Sequence, residues 1–239
     1  MQLFYTSHIA DNVAILSEEE SRHLRVLRKT QDDVLQLTDG KGYLYEGRLQ
    51  SALTKSSQPI VLDIISSRLQ PKNRNYNLQL VIAPTKQNER IEWMLEKAVE
   101  VGIDSITFIT TDHSEKSRIN IGRLEKIVLS AMKQSGEYYL PQINDNQTFQ
   151  SLLTSGFMQG AYLAHCNNTF EKSPLKTYLS VHKSNDPIKI LIGPEGDFST
   201  KEIESAYQSG ALGLSLGNTR LRTETAGLLA CMACSVLLK

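Results

Sequence analysis

The stretch Ile190-Leu191-Ile192-Gly193-Pro194-Glu195-Gly196-Asp197-Phe198 is a short apolar run that leads directly into a turn with two glycines and a proline. A second stretch has the same character, because Leu214-Ser215-Leu216 leads into Gly217-Asn218-Thr219-Arg220-Leu221-Arg222-Thr223-Glu224-Thr225. In an open parallel sheet, ligands bind beyond the carboxyl ends of the strands. The two turns are therefore the candidate ligand site of this chain.

Apolar strands and amphipathic helices alternate around these two turns. Strands are predicted at Leu78–Ala83, Ser105–Thr110, Ala161–Ala164, Ile188–Ile192 and Gly213–Leu216. Helices are predicted at Glu89–Val101, Arg123–Ser135 and Glu224–Leu238. The last helix is almost wholly apolar, so we expect it to be buried. Alternation of this kind predicts an α/β fold with a mainly parallel sheet.

The first 70 residues have a different rhythm. Short apolar runs are separated by turn signals, and Asp39-Gly40-Lys41-Gly42 predicts a hairpin. One helix is predicted from Ser17 to Lys29. This pattern indicates a small β-barrel or sandwich over residues 1–70. The polar stretch 71–76 reads as a linker, and residues 77–239 form the α/β domain.

Composition excludes several classes of protein. The chain has 239 residues, with 26 Lys plus Arg against 26 Asp plus Glu, so an electrostatic attachment of the whole molecule to nucleic acid is excluded. No apolar run reaches the ~18 residues that a membrane span needs. We see no secretory signal, and three cysteines do not suggest a disulfide framework. We expect a reduced, cytoplasmic protein.

Metal and dinucleotide sites are not expected either. Cys231 and Cys234 lie inside the apolar terminal helix, where core packing explains them better than metal binding. The five histidines have no metal-ligand spacing. The first α/β strand is followed by Ala83-Pro84-Thr85-Lys86 without a G-x-G-x-x-G pattern, which argues against a nicotinamide oxidoreductase.

Each of the two turns also has a purely structural explanation. Ser199 and Glu202 form a predicted capping box, and Phe198 with Ile203 fits a hydrophobic staple. That explanation leaves Pro194-Glu195 unaccounted for. In the second turn Thr223 can cap a helix and Glu224 can complement its dipole. Two arginines, a glutamate and two threonines in one turn nevertheless favour a functional site.

A basic stripe in the first region can be a solvated helix face or a local contact surface for RNA. Arg22, Arg25, Arg28 and Lys29 recur at helical spacing, while Leu24 and Leu27 can face inward. A solvated helix face is the ordinary explanation. The whole region is not cationic, so any contact with RNA phosphates has to be local.

Together these residues resemble a bacterial family of SPOUT, or trefoil-knot, methyltransferases that methylate N3 of a uridine in small-subunit ribosomal RNA. The resemblance is carried by Leu191–Gly196, Leu216-Gly217 and Leu221–Ala226. It extends over nearly the whole chain, through Arg22–Arg28, Asp39–Gly42, Glu96–Gly102, Gln134–Gly136 and Pro141. Asp197 stands where the family often has glycine, and Glu137 stands where a basic residue is common.

The resemblance implies a PUA-like RNA-binding barrel followed by a knotted domain that binds S-adenosylmethionine. It also implies a homodimer with the terminal helices in the interface. The implied substrate is the assembled small (30S) subunit with its 16S ribosomal RNA, and no metal or membrane is involved. The predicted RNA-binding residues are Arg22, Arg25, Arg28 and Lys29. The predicted cofactor-binding residues are Leu191, Ile192, Gly193, Glu195, Gly196, Leu216, Gly217, Leu221 and Thr223.

The predicted catalytic residues are Arg222 and Glu224. Arg222 would stabilise the anion that remains when uridine N3 loses its proton. Glu224 would accept that proton or orient Arg222. Two alternatives stay open: the same fold acting on another RNA target, such as a ribose 2′-hydroxyl or a transfer RNA base, and a non-catalytic RNA-binding factor of ribosome assembly.

Overall fold

The structure, a computed structural model, describes residues 2–27, 29–31, 33–51, 59–115, 119–182 and 186–238. Its residues fall into two units. The first comprises Met1–Asn73 with Leu129–Leu140, and the second comprises Arg74–Val128 with Pro141–Lys239. None of the described helices has the length and apolarity that crossing a bilayer requires.

The first unit is built on a curled six-stranded sheet in the order β1-β4-β5-β6-β3-β2. β1 is parallel to β4, and the other pairs are antiparallel. The hairpin at Asp39–Gly42 is confirmed, because it joins β4 to β5 with Thr38 opposite Leu44. The strands are β1 Leu3–Tyr5, β2 His8–Ala10, β3 Val13–Ile15, β4 Val34–Thr38, β5 Tyr43–Leu49 and β6 Val61–Leu69.

Helix α1, Glu18–Val26, is shorter than predicted. Its N-terminus is capped by the Ser17 side chain, which accepts a hydrogen bond from the Glu20 N–H. It ends three residues before Lys29. Leu24 is fully buried, but Leu27 is exposed, so the prediction that both face inward is wrong for Leu27.

The second unit contains a seven-stranded sheet in the order β11-β13-β10-β12-β7-β8-β9, with every pairing parallel. Its strands are β7 Asn77–Ile82, β8 Ser105–Thr110, β9 Gln142–Thr148, β10 Tyr162–Ala164, β11 Ser173–Pro174, β12 Pro187–Ile192 and β13 Leu212–Ser215. The further helices of the chain are α2 Asn88–Val101, α3 Ile121–Ser135, α4 Phe149–Thr154, α5 Leu175–Ser180, α6 Thr200–Gln208 and α7 Thr223–Leu237. The five predicted α/β strands are confirmed within a residue or so, and sequence reasoning missed β9 and β11.

The two faces of the parallel sheet are covered by different helices. On one face, Leu163 and Leu191 join a core cluster with Ile203 of α6. On the other face, α7 packs against α2, β7 and β12. The approach is close at Gly227, where a Cβ atom would lie 2.9 Å from Cδ1 of Ile82. A side chain at this position would require the Ile82 side chain or α7 to shift.

Helix α7 is not buried all round, which corrects the prediction from its apolar composition. Four of its large apolar side chains are exposed, and Val236 retains 70% of its accessible surface. They are Leu229, Met232, Val236 and Leu237. This half of the helix therefore presents an apolar surface.

The stretch predicted as a polar linker contains two packed side chains. Arg74 donates hydrogen bonds to the Asp104 carboxylate and to the Ile103 carbonyl, both at 3.1 Å. Tyr76 is buried. Both residues belong to the second unit.

Candidate active site

A cavity of about 780 Å³ opens at the carboxyl ends of β10, β12 and β13. The turn after β12 and the turn after β13 supply two of its walls, and Ala164 at the end of β10 with residues 165–168 after it supplies a third. The structure therefore brings both sequence-predicted turns to one cavity. Parallel strands that lie next to each other end at the same edge of a sheet, which is why this topology joins segments that are far apart in sequence.

Two hydrogen bonds hold the turn after β13 against the turn after β12. The Thr223 hydroxyl donates to the Gly193 carbonyl at 3.1 Å. The Arg220 guanidinium donates to the Glu195 carbonyl, also at 3.1 Å. The Glu195 carboxylate accepts in turn from the backbone N–H of Lys86 at 3.2 Å. These contacts fix the relative positions of the two turns.

Gly217 lies where the second turn needs a backbone that other residues rarely adopt. Its φ is +127°, and no other atom lies within 4 Å of the place where a Cβ would stand. The requirement for glycine is therefore one of backbone conformation rather than of space. The absence of a side chain also leaves the backbone accessible to a ligand in the cavity.

Asp197 also has a left-handed backbone, with φ +65°. Its two carboxylate oxygens accept hydrogen bonds from different segments, Oδ1 from the N–H of Phe198 at 2.8 Å and Oδ2 from the N–H of Cys166 at 2.7 Å. Asp197 thus joins the turn after β12 to the turn after β10.

Lys172 and His165 stabilise the turn after β10 from within the same wall. The Lys172 ammonium donates to the carbonyls of His165 and Asn167 at 3.3 and 2.9 Å. The His165 Nε2 lies 3.0 Å from the Tyr207 hydroxyl. Burial lowers the pKa of the His165 imidazole, and the Lys172 charge lowers it further.

The predicted capping box is confirmed at the start of α6. The Ser199 hydroxyl accepts from the Glu202 N–H at 3.2 Å, and the Glu202 carboxylate accepts from the Ser199 N–H at 2.9 Å. Glu202 also accepts from the N–H of Asp112 at 2.9 Å. The capping box therefore ties the helix to the turn after β8.

The structure separates the two residues predicted to be catalytic. Arg222 is exposed as the N-cap residue of α7, and Glu224 is 94% buried, with 6% of its surface accessible. A Glu224 carboxylate oxygen lies 3.8 Å from Nε of Arg90. Neither Arg222 nor Glu224 is among the residues that line the cavity. The Thr223 side chain does not cap the helix as predicted, since its hydroxyl bonds to Gly193 instead.

Most residues predicted to bind the cofactor line the cavity, but Leu191 does not. Leu191 is fully buried in the core beneath the sheet edge, because alternate residues of a strand face opposite sides. Those that line it are Ile192, Gly193, Glu195, Gly196, Leu216, Gly217, Leu221 and Thr223. Sequence reasoning missed Cys166, Asn167 and Lys172 in the wall after β10, and it gave no cofactor role to Asp197 and Arg220, although both lie in the two candidate turns. The position of residues 165–168 after a predicted strand was the available signal.

The basic stripe of the first unit is less uniform than its spacing predicts. Arg22 pairs with Glu18 at 3.0 Å, and Lys29 pairs with Asp33 at 3.5 Å. Arg28 lies outside the described residues. Since α1 ends at Val26, Lys29 does not continue the helical stripe. Ion pairs within the unit thus offset part of the positive charge.

Cys231 and Cys234 are buried, as their place in an apolar helix suggested. Burial raises the pKa of both thiols, that of Cys234 to about 12. Thiols that stay protonated are poor metal ligands and poor nucleophiles. Across the described part of the chain, no group of three or more His, Cys, Asp or Glu residues is arranged to hold a metal ion.

The parallel sheet, the cavity at its carboxyl edge and the return of α7 onto β7 and β12 define an α/β domain of the SPOUT class, preceded by a PUA-like unit. Residues 72–235 match the family described as an RNA methyltransferase domain, and residues 16–57 match the RNA methyltransferase PUA domain. The chain belongs to this RNA methyltransferase family.

Individual relatives support the same assignment over the full length. The crystal structure of a probable rRNA methyltransferase from Porphyromonas gingivalis is 38% identical, with a TM-score of 0.88, covering 100% of this chain and 98% of that one. Ribosomal RNA small subunit methyltransferase E from Neisseria gonorrhoeae, bound to S-adenosyl methionine, is 25% identical with a TM-score of 0.83, covering 99% and 98%. The enzyme of that name from Buchnera aphidicola is 27% identical over 230 residues, 90% of this chain and 85% of its own length.

Proposed function

We propose that this chain transfers a methyl group from S-adenosylmethionine to N3 of a uridine in small-subunit (16S) ribosomal RNA. The observation that carries the proposal is the meeting of the two turns, after β12 and β13, in one cavity of an RNA methyltransferase fold. Relatives named as small-subunit ribosomal RNA methyltransferases support the choice of substrate.

The residues of the cavity suit S-adenosylmethionine. The volume of about 780 Å³ lies within the range of small-molecule sites. Ile192, Leu216 and Leu221 offer apolar surface to the adenine, and the backbone groups of Gly193, Gly196 and Gly217 would bind its polar edge and the ribose. Glu195 is available to the ribose hydroxyls. When bound, the cofactor supplies a methyl group on a positively charged sulfur.

Arg222 has the chemistry that the target base requires. N3 of uridine carries a proton at neutral pH, and its removal leaves an anion shared with O2 and O4. The guanidinium presents donors in a fixed fork, and its neighbours Leu221 and Thr223 line the cavity. Arg222 would stabilise the anion through a uracil oxygen, and the proton would pass to water.

Glu224 acts in this proposal as a positioning residue. It is buried in the first turn of α7 beside Arg90, and it does not line the cavity. A general base has to reach the proton that it removes, so its location does not favour proton transfer. Its carboxylate would instead fix the start of α7, the element that carries Arg222.

A homodimer would complete the site. Leu229 and Val236 of α7 are seven residues apart and share one face of the helix with its N-cap residue Arg222, and all three are exposed. The exposed apolar side chains of α7, Leu229, Met232, Val236 and Leu237, are typical of a protein interface. A second copy bound through α7 would lie beside Arg222.

RNA binding would involve the first unit, which contains the match to the RNA methyltransferase PUA domain. Arg22 and Arg25 would contact phosphates of a cytoplasmic assembled small (30S) subunit. Neither the chain nor its first unit has a large excess of positive charge. We therefore expect the folded shape of the ribosomal small subunit to contribute more to binding than electrostatic attraction does.

The test is methylation of small subunits isolated from cells that lack the gene. The wild-type protein should generate 3-methyluridine, detected by mass spectrometry of ribosomal RNA nucleosides. Arg222→Ala should reduce the rate by about 100-fold or more, because a preorganised donor to the transition state is lost. Arg222→Lys should recover part of that loss. Calorimetry should give the same affinity for S-adenosylmethionine in all three proteins.

Other outcomes would overturn the proposal. Methylation of a ribose 2′-hydroxyl or of transfer RNA would show the same fold acting on another target. Absence of both methyl transfer and cofactor binding would indicate a non-catalytic factor of ribosome assembly. Normal turnover by Arg222→Ala would remove Arg222 from the mechanism.

A further inference from the structure

We propose that Asp197 is a positioning residue, whose carboxylate holds the turn after β10 at the distance from the turn after β12 that cofactor binding requires. The inference rests on the proposed function, because it takes the cavity to be the site of S-adenosylmethionine. It assigns a role to Asp197, which lies in the first candidate turn but for which the sequence predicted no function.

The contacts of the carboxylate carry the inference. Oδ2 accepts from the Cys166 N–H at 2.7 Å, and Oδ1 accepts from the Phe198 N–H at 2.8 Å. Hydrogen bonds to an ionised acceptor are stronger than neutral ones. One side chain therefore links two walls of the cavity, and both Cys166 and Asp197 line it.

Lys172 holds the same turn by the opposite chemistry. Its ammonium donates to the carbonyls of His165 and Asn167, whereas Asp197 accepts from the N–H of Cys166. The turn is thus bound through its acceptors by a cation and through a donor by an anion. A short irregular segment without such bonds would sample other conformations, and ordering it on ligand binding would weaken affinity.

The backbone conformation of Asp197 allows the contribution of its carboxylate to be tested separately from that of the turn. Its φ of +65° is a backbone conformation that glycine adopts most easily. Aspartate tolerates such a backbone but gains nothing from it. Asp197→Gly therefore leaves the backbone unstrained and removes only the carboxylate. Asp197→Asn keeps one acceptor oxygen and loses the charge.

The experiment measures cofactor affinity by calorimetry and steady-state methylation of small subunits, at a temperature where every variant is folded. Asp197→Gly should raise the Kd and KM for S-adenosylmethionine about tenfold, the effect of one charge-assisted hydrogen bond. Asp197→Asn should raise them about threefold, because one acceptor remains. The kcat at saturating cofactor should stay within about twofold, since the bound cofactor then holds the walls in place.

The control is Glu204→Gln, which removes an exposed carboxylate from α6, away from the cavity lining, and should behave as wild type. A Kd for Asp197→Gly equal to that of wild type, even with a lower Tm, would overturn the positioning role and leave the proposed function intact. A fall in kcat with unchanged KM would do the same. Wild-type protein without affinity for S-adenosylmethionine would overturn the proposed function and this inference together.

Discussion

The buried imidazole of His165 makes the stability of the protein depend on pH. Burial and the Lys172 charge lower its pKa below the ordinary value of 6.5. The unfolded chain therefore takes up a proton at a higher pH than the folded chain does. The stability that comes from keeping His165 neutral is fully present above pH 6.5 and is lost as pH falls toward the lower pKa of the folded state.

We predict that His165→Gln flattens this dependence. Glutamine does not titrate, and its amide can contact the Tyr207 hydroxyl in place of Nε2. The free energy of unfolding should fall less steeply for the variant than for wild type as the pH drops from about 7 to 5. Urea unfolding curves at several pH values measure the difference. Parallel stability profiles for the two proteins would contradict the prediction.

The kinds of residues at the site could be predicted from sequence, but their partners could not. Gly193 and Gly217 follow apolar runs and Leu216 ends one, so the rule that ligands bind at strand ends is enough to find them. Arg222 and Glu224 are two positions apart at the start of a helix, so they point in widely different directions. Only the packing of α7 against α2 reveals that Glu224 contacts Arg90.

Among the elements, helix α6 is stabilised by a capping box, whose contribution to the free energy of unfolding can be measured. We predict that Ser199→Ala lowers the free energy of unfolding by about 1 kcal/mol, because the N-cap hydroxyl is lost. The same hydroxyl donates to Asp112 at 2.6 Å, so the turn after β8 should loosen as well. Urea denaturation gives the difference between variant and wild type.

Ser205→Ala is the matched control on the same helix. The Ser205 hydroxyl donates to the Lys201 carbonyl within the helix, and its loss should change stability by less than about 0.5 kcal/mol. Equal effects of the two substitutions would show that capping does not stabilise α6.

The elements that were predicted well are those whose pattern is local. β7, β8 and β12 are apolar because both faces of a central parallel strand are covered. β9 was missed because it is an edge strand of polar residues, where Asn144 and Asn146 donate to Thr107 and Thr110 of β8. The exposure of α7 was missed because an apolar helix has the same sequence pattern whether its outer face packs in the core or against another protein.

For the whole molecule, we predict that Met232→Glu abolishes the proposed homodimer. Met232 is 46% exposed on α7, so a charge is tolerated in the monomer. Buried in an interface, the unpaired carboxylate should weaken association about 100-fold or more. Sedimentation at micromolar concentration should give a dimer for wild type and a monomer for the variant.

Gln150→Glu, an exposed substitution on α4, supplies the control and should leave the dimer intact. A monomeric wild type, or a dimeric Met232→Glu, would contradict the prediction. The methyltransferase activity of the variant then reports whether the site needs the second copy.

At this scale the fold class followed from alternation, whereas the strand order did not. Periodicity predicts that strands and helices form a parallel sheet, but it does not predict that β12 lies beside β7 or that β13 lies between β11 and β10. The trefoil-knot class was expected from the resemblance alone. General connection rules disfavour it, so no argument from local pattern would have reached it.

The hydrogen bond between the Thr223 hydroxyl and the Gly193 carbonyl has a consequence for the order in which the protein is synthesised and folds. A ribosome completes β12 before it has translated β13 and α7, so the nascent polypeptide has only part of the wall of its own binding site. The cavity is therefore complete only after α7 has been translated and has packed against the sheet. A chain that ends before α7 lacks Thr223 and Ala226, and therefore lacks part of the lining of the cavity.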